Sequence, residues 1–350
     1  MSMKKLLAKR SFMFMVIVSV VILLFSMLAG IIFGAADLSV DKVFDVISLK
    51  LFGIEQETLK RSQISIIWEL RLPRVLLAIA AGGSLAVAGA AMQAVTQNVL
   101  ADPYILGASG GASSAVAFCY FLGSAFYSSS AVISAFAFTG ATIALIIVYT
   151  IGRVGSPGST SRLALSGIAV SVILNALTQF FVSMSRDASA VRSIIAWTMG
   201  SLAGARWNNI AFPFFGSILG SSFFMFTARA YNLMSQGDET AISLGINVPV
   251  IKRLTILVVA FITGVIVAAG GIIGFVGFVI PHIIRILAGA DHRRLFPLSF
   301  LIGSVFLLWM DILARTLMAP REMSVGIFTA FFGGPFFVYL LYRQNKYGRI

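Results

Sequence analysis

Arg71-Leu72-Pro73-Arg74, a Gly/Ala-rich apolar run, Gln93, and then Asn98-Val99-Leu100-Ala101-Asp102-Pro103 decide how this chain is to be read. The run between the arginines and the amides is long enough for a membrane-crossing helix, which needs about 20 residues. Guanidinium and amide groups are costly beside lipid, so each calls for a partner or a task. Pro73 reads as a helix start, where its missing N–H would be orphaned in any case, and it holds Arg71 and Arg74 at the outer end. Gln93 and Asn98 fall near the inner end, and Asp102-Pro103 marks a tight turn before the next span. The amides either hydrogen-bond neighbouring helices or line and gate a passage, and both readings stay open.

Working outward, hydrophobic residues make up 59% of the 350 and charged residues 11%, against about 25% charged in a soluble domain. Mean hydropathy is +0.97. This is an all-α polytopic membrane protein, a single transmembrane domain over 1–350 with room for about ten spans. Spans are expected at 11–35, 68–96, 104–122, 130–152, 162–184, 208–230, 251–270, 275–289, 295–317 and 325–342. Residues 187–203 are expected to form a short helix that does not cross. The apolar run Ser11 to Ala36 exceeds the roughly 7–15 residues of a signal-peptide core, so it reads as a retained first helix.

Ten crossings put both termini on one side, and Lys4, Lys5, Lys9 and Arg10 place that side in the cytoplasm of a cell membrane. Fifteen of the 26 Lys and Arg then lie inside and 11 outside. The outer ones gather at 42–74, at 186–206, and at Arg315 and Arg321. They mark a place where something acidic binds, or side chains snorkelling to headgroups. The net charge of +13 suits basic loops against anionic lipid. Nucleic acid is excluded, since no basic stretch carries interleaved aromatics. One cysteine, Cys119, allows no internal disulfide. His282 and His292 are too few for a metal cluster without carboxylate help, so neither metal nor cofactor is expected on this chain.

Three further constellations stand out. In 236–249, Asp238 and Glu239 suit a helix start, Gly245 suits a helix end, and a second turn begins near Asn247-Val248-Pro249. This helix–Gly–helix elbow, with Ile242 and Leu244 exposed, reads as a docking knob for a soluble partner or as an ordinary loop. In 270–294, Pro281 should free backbone groups inside an apolar span; His282 and Arg285 share a helix face, with His282 taken as structural. Asp311 and Arg315, four apart, can pair, forming an outer charged patch with Arg321 and Glu322. No Gly-x-x-x-x-Gly-Lys-Ser/Thr loop occurs, so the chain alone is not an ATPase. No reactive cluster of a membrane enzyme is visible, and the intramembrane acids that could couple an ion in a secondary transporter reduce to Asp311.

The chain resembles the FecCD-type permeases of ABC importers for iron–siderophores, haem and cobalamin. The matching runs are Leu70 to Arg74; Gly89 to Gln93 and on through Asn98, Leu100, Ala101, Pro103 and Gly107; Met199 to Leu202; Ala241 to Gly245; Phe275 to Gly277 with Ile280 to Ile283; Gly289 to Arg293; Asp311 with Ala314-Arg315; and Gly326, Thr329-Ala330, Gly333 and Pro335-Phe336. Val99 and Ser324 stand where the family usually has proline.

The resemblance implies a ten-helix permease working with a second permease chain, the same or a paralogue. It implies two cytoplasmic ATPase subunits that hold ATP and magnesium, and an extracytoplasmic binding protein. Arg71, Arg74 and Arg315, with Arg321, would meet acidic residues of the binding protein. Gly237, Asp238, Glu239, Ala241, Leu244 and Gly245 would form the ATPase-coupling segment. Asn98 and Leu100, with Ser159 and Thr160 and with Gln93 behind them, would form the pathway and inner gate. The expected cargo is a ferric siderophore.

Overall fold

The structure, a computed structural model, describes residues 3–347 except 37, 55–58, 128, 154–159 and 186. The described chain is built of helices. Helix α1 is Met3–Ile32, α2 Val40–Phe52 and α3 Arg61–Thr96. Helices α4 (Ala108–Phe121) and α5 (Ser130–Arg153) follow, then α6 (Thr160–Met184), α7 (Ala188–Thr198) and α8 (Trp207–Met234). The chain continues with α9 (Asp238–Ser243), α10 (Val248–Gly270), α11 (Val276–Ala288), α12 (His292–Thr316) and α13 (Val325–Tyr347).

Helices α1, α3, α5, α6, α8, α10 and α12 are long and apolar enough to cross a membrane. Helices α4, α11 and α13 occupy the other three stretches where spans were expected, and α7 the stretch expected not to cross. Helix α2 was not anticipated. Its 13 residues are too few for a span, and it buries Val43 and Val46.

Helix α3 is the hub. In its most apolar stretch 89% of residues are buried inside the protein, against 22% in α6. It packs on α8, α10, α11 and α12. Small residues let such helices approach closely where lipid supplies no hydrophobic drive. A methyl group on Gly82 would strike the backbone of Gly303 in α12, and one on Gly89 the backbone of Gly277 in α11. Helices α4, α5 and α6 form a second group, where Gly111 and Gly140 meet in the same way; α5 joins that group to α10.

Pro73 is the second residue of the regular α-helical part, Leu72–Thr96, as expected, but that part does not begin from a loop. Helix α3 begins at Arg61 and passes through a π-helical stretch, Ser65–Arg71, in which N–H groups bond five residues back. The Leu72 N–H takes the Ile67 carbonyl. An N–H at 73 would take the Trp68 carbonyl, and proline has none. Trp207 of α8 supplies the donor: its indole Nε1 lies 2.8 Å from that carbonyl. Pro281 poses the same problem in α11, where the carbonyl four residues back belongs to Gly277. There Gln93 Nε2 of α3 makes a long hydrogen bond of 3.4 Å. In both places a neighbouring helix satisfies a backbone group that proline has freed, which is how lipid-embedded helices tolerate it.

Candidate functional sites at the two ends of the bundle

At one end, the C-terminus of α1 leaves carbonyls without helical partners. Arg71, brought to this point by the π-helical stretch, donates to the carbonyls of Ile31 and Ile32 at 2.6 Å each and of Ala36 at 2.7 Å. Arg315 of α12 donates to the Gly30 carbonyl. Two cations at a helix C-terminus also meet the negative end of its dipole. Between these arginines lies an ionic cluster. Arg74 Nε sits 2.9 and 3.1 Å from the two oxygens of Asp311, and its Nη1 lies 2.8 Å from Glu322 Oε2. Arg315 Nε is 3.5 Å from Asp311 Oδ2. Asp311 has no exposed surface, and Arg71, Arg74 and Arg315 are 6%, 7% and 4% exposed.

The expectation that these three arginines stand out as surface charges is therefore corrected. Carbonyls and a carboxylate with no access to water draw the guanidinium groups inward, because an unpaired buried charge is expensive. Arg321 and Glu322 remain at the surface.

At the other end stands the elbow. Helix α9 spans Asp238–Ser243, Leu244 caps it, and Gly245 follows at φ +85°, a conformation that glycine adopts without a steric penalty. Asn247 Oδ1 accepts the Val250 N–H at 3.2 Å and opens α10. Ala241 is buried, whereas Ile242 and Leu244 are 56% and 58% exposed. The base of the elbow is polar. Lys252 Nζ lies 2.5 Å from Asp238 Oδ2, and the hydroxyls of Tyr231 and Thr255 are 2.5 Å apart.

Just before the elbow, Asn232 clasps α12. Its amide Nδ2 donates to Asp291 Oδ1 at 2.6 Å. Its Oδ1 accepts both the His292 N–H and His292 Nδ1–H at 2.8 Å. Asp291 also caps α12 by accepting the Arg293 N–H at 3.0 Å. Burial works against the Asp291 charge, but the Asn232 amide, the Arg293 N–H and the charges of Arg293 and Arg294 outweigh it and hold the carboxyl below its ordinary value. Sequence reasoning missed Asn232, because a lone amide at a helix end has no spacing signature.

Of the expected gate residues, Gln93, Asn98 and Leu100 each have contacts of their own. Gln93 is buried; besides meeting Gly277 it accepts a hydrogen bond from Arg285 Nη1 of α11, a tie the sequence did not reveal. Asn98 lies at the surface and its Oδ1 accepts the Leu100 N–H at 2.9 Å, an Asx turn that shapes the loop locally. Leu100 packs against the small apolar cluster of Phe278, Val279 and Leu340. Thr160 is the first residue of α6, and Ser159 lies outside the described residues. His282 packs its ring 6.0 Å from that of Phe336, as a structural histidine would.

Residues 22–343 match the model of the FecCD transport family. The hemin transport system permease of Yersinia pestis is 40% identical over 290 residues, 80% of this chain and 84% of that protein. The Fe(3+)-citrate import system permease of Bacillus subtilis is 38% identical over 343 residues, 97% of each. A solved structure described as an inward-facing conformation of a metal-chelate type ABC transporter superposes with a TM-score of 0.81 at 27% identity, over 94% of this chain and 98% of that one.

Proposed function

This chain belongs to the FecCD transport family of multi-pass ABC importer permeases, and from that premise we propose that it moves ferric siderophore complexes into the cell by alternating access. A binding protein delivers the chelate to the arginine end, and two cytoplasmic ATPase subunits bind the elbow. Both termini lie in the cytoplasm. A second permease chain, packed against exposed apolar residues such as Val172 and Ile173 of α6 and Phe331 of α13, completes the passage. The permease makes no covalent change in its cargo.

One observation carries the reading. Ile242 on a helix of six residues and Leu244 at its cap stand exposed outside the apolar spans, over a base pinned by polar contacts. Apolar side chains presented to water in this way gain by burial in a partner, about 1.5–3 kcal/mol for each fully buried side chain. At the arginine end, the exposed Arg321 steers an acidic partner, while Arg71, Arg74 and Arg315 hold the surface that the partner meets. Ferric siderophore is favoured because a relative matched over 97% of this chain is named for Fe(3+)-citrate import; haem, for which another relative is named, and cobalamin are the alternative cargoes.

The test is uptake into vesicles that hold this chain with its ATPase and binding protein. Labelled ferric siderophores should enter in the presence of ATP and stay out when the ATPase is omitted. Uptake of haem or cobalamin instead would keep the importer and change the cargo. Uptake that survives loss of the ATPase would point to a secondary transporter and overturn the proposal.

A further inference from the structure

We infer that Asn232 is the positioning residue through which movement of the elbow reaches the buried hub of the bundle. This rests on the proposal that the elbow is where the ATPase acts.

The elbow joins the bundle through α8 on one side and α10 on the other. On the α10 side the polar link from α9 is Lys252 to Asp238, a pair whose acid is 40% exposed; such pairs are weak, and the buried hydroxyls of Tyr231 and Thr255 tie α10 to α8 rather than to α12. On the α8 side the link is Asn232, two residues before the end of the helix. All three of its contacts go to the first turn of α12 and its cap, and one is to a carboxylate. Asp291 is exposed, but around His292 the packing is close. Tyr231, His292 and Phe296 are buried with ring centroids 5.2–5.8 Å apart. His292 bears its proton on Nδ1 to meet the Asn232 oxygen, and its other ring nitrogen is buried without a hydrogen-bond partner among the described residues. The ring is thus held by Asn232 alone on its polar side.

Helix α12 is suited to carry a displacement. Its 25 residues span about 37 Å. It lies backbone to backbone on α3 at Gly82 and Gly303, so the two helices cannot slide without losing that contact. At its far end Asp311 and Arg315 are locked to Arg74 and to the end of α1. A push on the elbow that turns the end of α8 therefore acts on α12, α3 and α1 as one body. Among the described residues no polar side-chain contact runs from α9 to α4, α5 or α6, and the tie of α10 to α5, Ser134 Oγ to the Ala268 carbonyl, lies at the far end of α10.

The decisive experiment exchanges the two polar partners. In Asn232→Asp a carboxylate faces Asp291, and the amide donor is lost. In the double variant Asn232→Asp with Asp291→Asn the amide changes sides: Asp at 232 accepts from His292 and from the new amide, and because Asp291 Oδ1 natively takes both the Asn232 amide and the Arg293 N–H, the side chain at 291 must turn to keep its oxygen on the Arg293 N–H. Each variant is assembled with the ATPase and binding protein in lipid nanodiscs, and basal and binding-protein-stimulated ATP hydrolysis are measured, with ATPase association as the control for folding.

The single variant should keep basal hydrolysis and association yet lose about fivefold or more of the stimulation, a typical coupling between distant sites. The exchange should restore it. Wild-type stimulation in the single variant overturns the inference, as does an assembled double variant that stays uncoupled. If the single variant fails to assemble, the double variant decides alone by the same readout. Failure of the functional proposal looks different: the wild-type complex itself then shows no ATP-dependent uptake.

Discussion

The two ends of the bundle use the same kinds of residue in opposite ways. At the arginine end, four charged side chains and three helices converge, and the charges turn inward: Asp311 is wholly buried and three arginines nearly so. At the elbow end, the charged residues stay near the surface and the apolar ones, Ile242 and Leu244, turn outward. One end is tied together by buried ion pairs and hydrogen bonds. The other is held at its base by polar contacts and leaves its apolar side chains exposed. The proposed function needs this division, with a push received at one end and a fixed face presented at the other.

The comparison can be broken, and the largest effect is expected at the arginine end. Asp311→Ala leaves Arg74 and Arg315 buried beside no internal acid except the half-exposed Glu322, and it should destabilise the protein by about 3–5 kcal/mol. Thermal unfolding in detergent measures this, and a wild-type melting temperature would show that the cluster is not a fastening.

At the elbow the expectation is reversed. Alanine at Ile242 and Leu244 should leave unfolding unchanged within about 0.5 kcal/mol while weakening ATPase association by about 1.5–3 kcal/mol for each side chain that the ATPase buries. Titration of the purified ATPase onto nanodiscs reads this out. Unaltered affinity would remove the elbow as the gripped end.

Arg321→Glu sharpens the contrast within the arginine end itself, since its charge faces outward. Binding-protein association should slow about tenfold at low salt and converge with wild type as salt screens the charge. An unchanged association rate would leave that end without a steering charge. Trp207→Phe removes the donor to the Trp68 carbonyl and should cost about 1 kcal/mol, read as a small fall in melting temperature. Lys252→Gln should matter least, below about 1 kcal/mol; a larger loss would mean that the base of the elbow is held from the α10 side rather than by Asn232.

Much of this was legible beforehand. Long apolar runs located the spans, because a helix that meets lipid must be apolar over its whole length. The elbow was also visible, since Asp238, Gly245 and Asn247 are local helix-end signals that act through their own backbone. The arginines were rightly grouped at one end of the bundle, but three of the four are buried. Arg71 and Arg315 look like headgroup or docking residues until α1 is seen to end beside them with its carbonyls open. Pro73 was rightly read near the start of the regular helix, but the π-helical turn before it was not legible, since the indole that satisfies the Trp68 carbonyl lies 139 residues away in sequence.

What the sequence determined by itself was the class of the molecule, its spans, its elbow and its kinship, all properties of local composition and ordered motifs. What only the tertiary structure decided was where each polar group finds its partner. Arg74 meets Asp311, Gln93 meets Arg285 and Asn232 meets His292 across separations of 60 to 237 residues. The physical reason is that a buried polar group must be satisfied, but nothing in its own neighbourhood of the chain says which distant group will be brought within reach.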